Sequence, residues 1–201
     1  MKKTVFFSFV TLAVFVIVYS CKNQDAVKSN GQEARNVISQ DSLIKRGKYL
    51  VTAMACNDCH SPKKMGAHGP EPDEALALSG HPSNQPLPNF DANTAKNYAL
   101  FTMDQTAAIG PWGVSFAANI TSDSTGIGNW TEQQFFKAIR EGKYMGLDSN
   151  RMLLPPMPWQ NFGLLNDEDL KAIFTYLKST KPVRNVVPQA IPPTEVAKLV
   201  K

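Results

Sequence analysis

The stretch "ACNDCHSP", residues 55–62, decides how this chain is read. It gathers Cys56, Cys59 and His60 within five positions, in a chain of 201 residues with three cysteines and three histidines in all. At that composition, the chance of finding one C-x-x-C-H window anywhere in the chain is on the order of 0.001. The cluster therefore asks for a chemical reason.

Four chemistries compete for it. A redox dithiol of the thioredoxin type follows a strand and opens a helix within a βαβ unit. Here the pair follows residues at helical spacing, and no βαβ pattern exists. Structural zinc needs four ligands at fixed spacings; only His68 and His81 could add to the three, and there is no second C-x-x-C. A plain disulfide leaves His60 unexplained. The remaining reading meets the motif in full: two thiols add to the two vinyl groups of one porphyrin, and the adjacent histidine falls over the iron. Cys56 and Cys59 are thus expected to hold one covalent haem c, with His60 as an axial ligand of its iron.

Working outward, the N-terminus reads as an export signal. Lys2 and Lys3 precede an apolar run from Val5 to Val18 that is broken only by Ser8 and Thr11. A spanning helix needs roughly 20 apolar residues, so the run is short for that role. The segment "VYSC", residues 18–21, resembles a bacterial lipobox. Residues 1–20 are expected as a lipoprotein-type signal peptide and Cys21 as the lipid-bearing residue; an uncleaved signal anchor is the alternative. Lipid on Cys21 would also account for the odd cysteine in an exported chain. Residues 21–40 are polar and aperiodic, and are expected as a flexible tether spanning roughly 25 Å.

With 43% hydrophobic and 19% charged residues the chain has enough apolar material for a core, which excludes wholesale disorder. The formal charge of +4 falls to +2 without Lys2 and Lys3. No basic run suggests a nucleic-acid partner.

Three helices are expected. The first runs from Asp41 to about Ala55, with Leu43, Ile44, Leu50, Val51 and Met54 at helical spacing and Gly47 inside it. The second starts at Thr131 in a capping-box pattern with Gln134, and Gly142 stops it. The third starts at Asn166, followed by three acidic residues that suit the positive end of a helix dipole. Its buried stripe is Leu170, Ile173, Phe174 and Leu177. Residues 61–129 are rich in Pro, Gly, Asn and Ser, with one short helical candidate at Asp73–Leu78 and no convincing strand pattern. Wrapping a bulky prosthetic group would explain so long an irregular stretch. Residues 183–201 are expected as a Pro-containing surface tail.

In this order of motifs the chain resembles the monohaem class I cytochromes c over roughly residues 41–182. The helix bearing Gly47, then "CNDCH", then a Met loop, then a final helix ending "YL" carry the resemblance. The stretches "ANITSDSTGIGNWTEQQFFKAIREG" and "LPPMPWQNFGLLNDEDLKAIFTYLK" are similar to cytochrome c domains of membrane-associated dehydrogenases. The resemblance implies an all-α fold, three main helices around a covalently bound haem, with a long irregular insert. It implies that Gly47 packs where the last helix crosses, against Tyr176. The 96 residues between His60 and Met157 exceed the minimal family pattern.

The sixth iron ligand is expected from Met157. Pro156 and Pro158 fix φ and remove N–H groups, giving a stiff non-helical strap, and the resemblance places the ligand just before the last helix. Met152 is the next candidate; Met145, Met103 or a histidine from the insert follow. Core filling is the ordinary role of a methionine. Trp112, Trp130, Trp159 and Asn161 could hydrogen-bond a propionate or the Met sulfur, packing being the ordinary role of the three tryptophans. Residues 119–123 line the haem edge on the resemblance alone.

A His/Met iron has no open position and suits a carrier rather than a catalyst. The expected function is electron transfer by an exported, periplasmic-side, membrane-anchored lipoprotein, alone or as a redox subunit. Its partners would be a dehydrogenase, an oxidase or a quinol-linked complex. A haem enzyme or sensor with an open, peroxidase-like iron is the alternative, with Arg151 as the nearby distal candidate. A non-redox lipoprotein with a disulfide or metal clip is the third.

Overall fold

Ser39 starts the first helix, two residues earlier than Asp41. Its Oγ accepts the Ser42 N–H at 3.2 Å, and Asp41 falls in the first turn instead, where the helix dipole favours it. The computed structural model describes residues 39–199. The expected signal, the expected lipid site Cys21 and all but the last two residues of the expected tether lie outside the described residues.

In chain order the elements are α1 (Gln40–Ala53), α2 (Cys56–His60), β1 (Lys63–Gly66), β2 (Gly69–Pro72), α3 (Ala92–Ala95), β3 (Leu100–Phe101), β4 (Ala107–Gly110), β5 (Gly113–Phe116), α4 (Glu132–Glu141), α5 (Trp159–Phe162), α6 (Asp167–Ser179) and α7 (Pro193–Val196). Short 3-10 turns lie at Glu74–Leu76 and Tyr144–Gly146. The three expected main helices are α1, α4 and α6. Thr131 and Gln134 form the expected reciprocal cap of α4, and Gly142 ends it in the left-handed region, φ 66°. Asn166 caps α6 by accepting the Asp169 N–H at 2.7 Å.

These helices share one core. Leu50 and Val51 of α1 meet Phe135 of α4 and Leu170, Ile173, Phe174 and Leu177 of α6, with Leu78 and Ile127 from the connections. The rings of Phe135 and Phe174 lie 5.2 Å apart, within the range of favourable aromatic pairs. At the crossing of α1 and α6 there is no room for a side chain. A Cβ on Gly47 would sit 2.0 Å from the Ala172 carbonyl oxygen and 2.6 Å from the Tyr176 Cβ. The helix tolerates Gly47, at a propensity cost of up to ~1 kcal/mol relative to Ala, because only glycine lets the backbones come this close. Arg46 and Asp169 close the same crossing with a two-pronged ion pair, 2.8 and 3.2 Å.

The all-α expectation needs correction. β1 and β2 form an antiparallel hairpin, and β3–β4–β5 form an antiparallel three-stranded sheet. Among the described residues no strand exceeds four residues, too short to establish an alternating pattern. β4, "AAIG", is buried at all four positions and so does not alternate at all. The sheet has its own apolar cluster, in which Ala95, Ile109, Val114 and Val196 are buried among Phe90, Leu100, Phe116 and Ile191.

Residues 183–199, expected as a surface tail, contribute to this second cluster. Ile191 pairs with Val114 at the free edge of β5. Asn185 is buried, and its side-chain amide donates to the Ser79 and His81 carbonyls at 2.7 and 2.8 Å while its oxygen accepts the Ser83 N–H at 3.0 Å. Insert and C-terminal segment thus make one lobe beside the helical core.

Gly47→Val is expected to destabilise the protein by about 1–3 kcal/mol, the usual cost of overpacking. Denaturant melts of the haem-loaded protein would read it as a lowered midpoint; an unchanged midpoint would remove Gly47 from the crossing.

Candidate functional site

The C-x-x-C-H turn is a separate element because α1 does not run into it. Met54 closes α1 by donating its N–H to the Leu50 carbonyl at 2.8 Å, and Ala55 then takes the left-handed conformation, φ 57°. Few non-glycine residues adopt that region. The reversal redirects the chain into the single turn of α2. Helical spacing sets residues three and four apart side by side, so Cys56, Cys59 and His60 share one face of α2. Cys56 packs against the edge of the main core, and both thiols are free.

The His60 ring is oriented by one bond. Its Nδ1 lies 2.7 Å from the Ala118 carbonyl oxygen. A carbonyl can only accept, so Nδ1 carries the hydrogen and Nε2 keeps its lone pair. Burial lowers the His60 pKa, against the bond to Ala118, which raises it. Such a neutral imidazole, fixed through its second nitrogen, is the form that ligates metal. Burial pushes the Cys56 thiol up to about 11, and raises Cys59 as well, with Lys63 opposing. Reactive dithiols need the opposite shift. Free thiols at i and i+3 beside an Nε2 lone pair fit a covalently attached haem c.

The other histidines are committed elsewhere. His68 is exposed beyond β1, and His81 is fully buried, with Nδ1 2.8 Å from Thr106 Oγ1 and Nε2 3.2 Å from the Gln85 carbonyl oxygen. Among the described residues, no group of three or more His, Cys, Asp and Glu side chains is placed to hold a metal ion. The four-ligand zinc reading therefore lacks its ligands.

Residues 78–81 wrap the turn from outside. The Leu78 N–H donates to Ser61 Oγ at 2.9 Å, the Gly80 N–H to the His60 carbonyl at 2.7 Å and the His81 N–H to the Ala117 carbonyl at 2.9 Å. Gly80 has φ 75°, and a Cβ there would lie 2.4–2.6 Å from the Ala117 oxygen and the Ala118 carbonyl. Gly80 thus presses against the carbonyl that holds His60. Neither Gly80 nor Ala118 was found from the sequence. The one local signal was a glycine in "LSGH", and nothing marks a backbone carbonyl donated from 58 residues away.

Met157 is half-buried in the strap between α4 and α5. The strap is anchored where the Leu153 N–H donates to the Gly142 carbonyl at 2.6 Å, and the Trp159 ring covers Gly142 at its other end. Met152 is exposed and paired through its backbone with Lys143. Met103 and Met145 are exposed. Trp130 packs on the main core, and the Trp112 ring covers Gly110. Asn119 and Thr121 are occupied with the C-terminal segment: Asn119 Nδ2 donates to the Val183 carbonyl at 2.8 Å, and Thr121 Oγ1 accepts the Val183 N–H at 3.3 Å. Arg151 lies over the Tyr144 ring at 4.2 Å and donates to the Met152 carbonyl.

Comparison with known proteins agrees with this geometry. The cytochrome c family matches residues 44–181. The chain is 31% identical over 139 residues to the gluconate 2-dehydrogenase cytochrome c subunit of Pantoea cypripedii, covering 69% of this chain and 23% of that one. It is 31% identical over 142 residues to the fructose dehydrogenase cytochrome subunit of Gluconobacter japonicus, covering 70% and 22%. It is 29% identical over 147 residues to the cytochrome c subunit of the quinone-type alcohol dehydrogenase of Gluconobacter oxydans, covering 72% and 23%. The chain therefore spans less than a quarter of the length of these relatives.

Gly80→Ala should destabilise the haem-loaded protein by about 1–3 kcal/mol, read as a lowered denaturation midpoint, since the new methyl meets backbone in a left-handed region. Wild-type stability would show that residues 78–81 do not press on the Ala118 carbonyl.

Proposed function

The chain belongs to the cytochrome c family, and from that membership we propose that it is a one-haem electron carrier with His60 and Met157 as axial ligands. The observation that carries the reading is the α2 turn, where two free thiols and an Nδ1-protonated imidazole share a face. When bound, haem c supplies one-electron redox chemistry. The chain's own residues do the rest. Cys56 and Cys59 would retain the ring covalently, and the Ala118 carbonyl, by holding the Nδ1 hydrogen, would leave the His60 Nε2 lone pair available to the iron. The proline-flanked strap presents a soft thioether, which favours Fe(II) and raises the potential.

Met157 is preferred over Met152 because Met152 is exposed and its backbone is paired with Lys143. The peroxidase-like alternative needs an open iron and a free distal cation; Arg151 is engaged with Tyr144 and the Met152 carbonyl. The relatives are named as cytochrome subunits of dehydrogenases. On that likeness the proposed partner is a dehydrogenase that hands over electrons singly.

The proposed setting is the periplasmic side of a membrane, with Cys21 lipidated after signal removal. No described helix is long and apolar enough to cross a membrane, and the support for lipidation is the segment "VYSC".

Pyridine-haemochrome absorbance of the purified protein should report one haem c per chain. Met157→Ala should abolish the weak far-red charge-transfer band of Met-ligated ferric haem and lower the reduction potential, because the replacing water or nitrogen ligand stabilises Fe(III). Met152→Ala should leave both intact. If the wild type lacks the band and binds carbon monoxide readily, the iron is open and the carrier reading gives way to a catalytic or sensing haem.

Cys21→Ser should prevent processing by the lipoprotein signal peptidase, as should globomycin on the wild type. A mature, soluble product unaffected by the inhibitor would remove the lipid anchor.

A further inference from the structure

The insert reaches the strap that carries Met157. Ser115 in β5 donates its hydroxyl hydrogen to the Pro155 carbonyl at 2.6 Å, across 40 residues of sequence. The Trp112 indole N–H donates to the same Ser115 oxygen at 3.2 Å. The Trp112 N–H fills a lone pair of the hydroxyl, and of the two carbonyls within reach of its single hydrogen, Pro155 at 2.6 Å is favoured over Ala108 at 3.4 Å. Trp112 is itself held in the β4–β5 turn, with its ring over Gly110.

The strap has few other fixed points. Its backbone is tied to the end of α4 at Leu153 and through Met157 to the Leu154 carbonyl at 3.3 Å. Pro155, Pro156 and Pro158 have no N–H with which to bond. Among the described residues, Ser115 makes the one side-chain hydrogen bond to a carbonyl of residues 153–158. It acts two residues before Met157, on a chain that proline rings make stiff, so holding Pro155 holds the position of Met157.

We propose that Ser115, oriented by Trp112, is a positioning residue for Met157: the insert's sheet clamps the strap and keeps the thioether in place against competing ligands. This rests on the assignment of Met157 as the sixth ligand. Ser115 acts on the strap through the Pro155 carbonyl, so its effect is on how readily the strap releases.

The test is competition by imidazole for the iron of the haem-loaded ferric protein, followed by loss of the far-red band. Ser115→Ala should bind imidazole roughly fivefold more tightly than wild type, the factor one net hydrogen bond supplies. Trp112→Phe keeps the ring over Gly110 but removes the N–H, and should shift the affinity in the same direction by less. Ser115→Thr restores the hydroxyl and should return the affinity toward wild type, which a mere packing defect would not do. Met157→Ala is the reference for a strap with no ligand. If Met157→Ala binds imidazole far more readily than wild type but Ser115→Ala does not differ from it, Met157 is the ligand and the clamp is overturned. If Met157→Ala and wild type bind imidazole alike, the ligand assignment falls, and the clamp with it.

Discussion

The close crossing of α1 and α6 at Gly47 is the constraint on which the rest depends. Backbone meets backbone there, with no space for even one methyl between Gly47 and the Ala172 carbonyl. α1 leads through the Ala55 reversal directly into the turn that carries Cys56, Cys59 and His60. α6 is preceded by α5 and by the strap that carries Met157. The two segments proposed to meet the iron from opposite sides therefore hang from the ends of one packed helix pair. Arg140 reinforces the second arm: from α4 it donates to the Gly163 and Leu165 carbonyls at 2.6 and 2.8 Å, so the link between α5 and α6 is pinned as well.

The insert and the C-terminal segment add a second layer of support rather than a loose wrap. Ala118 leaves the end of the sheet to hold His60, and Ser115, in the same sheet, holds Pro155. The sheet and the chain that leaves it thus reach both proposed axial sides, through the Ser115 hydroxyl on one and the Ala118 carbonyl on the other.

Much of the helical framework was legible because its signals are local. The Thr131–Gln134 box, the Gly142 stop and the Asn166 cap each lie within a few residues of the hydrogen bonds they make. Gly47 could be placed at the crossing through the family resemblance, with Tyr176 as its partner. The motif turn was legible for the same reason of spacing. What sequence reasoning missed acts at long range or through the main chain. Ala118, Ser115 and Asn185 work across 58, 40 and more than 100 residues, and no residue type announces a carbonyl. The five strands were missed because each is too short, and in β4 too evenly buried, for alternation to show. Asn119 and Thr121, expected along the haem edge, also hydrogen-bond residues 183–185, contacts across 62 to 66 residues that no local signal marks.

The burial of Asn185 separates two boundaries that are usually drawn together. The segment shared with the family stops at residue 181, but the folded unit continues to Val196. Cutting the chain at the end of the shared segment would strand the Ser79 and His81 carbonyls, each without its Asn185 partner, and would leave the Asn119 amide with Thr125 Oγ1 alone. Orphaned buried polar groups of this kind cost about 1–3 kcal/mol apiece. Those same residues neighbour Gly80 and Ala118, which seat His60. When a module of this kind is moved between larger proteins, the inherited unit must therefore run past residue 181 to Val196, although the family match does not mark that segment.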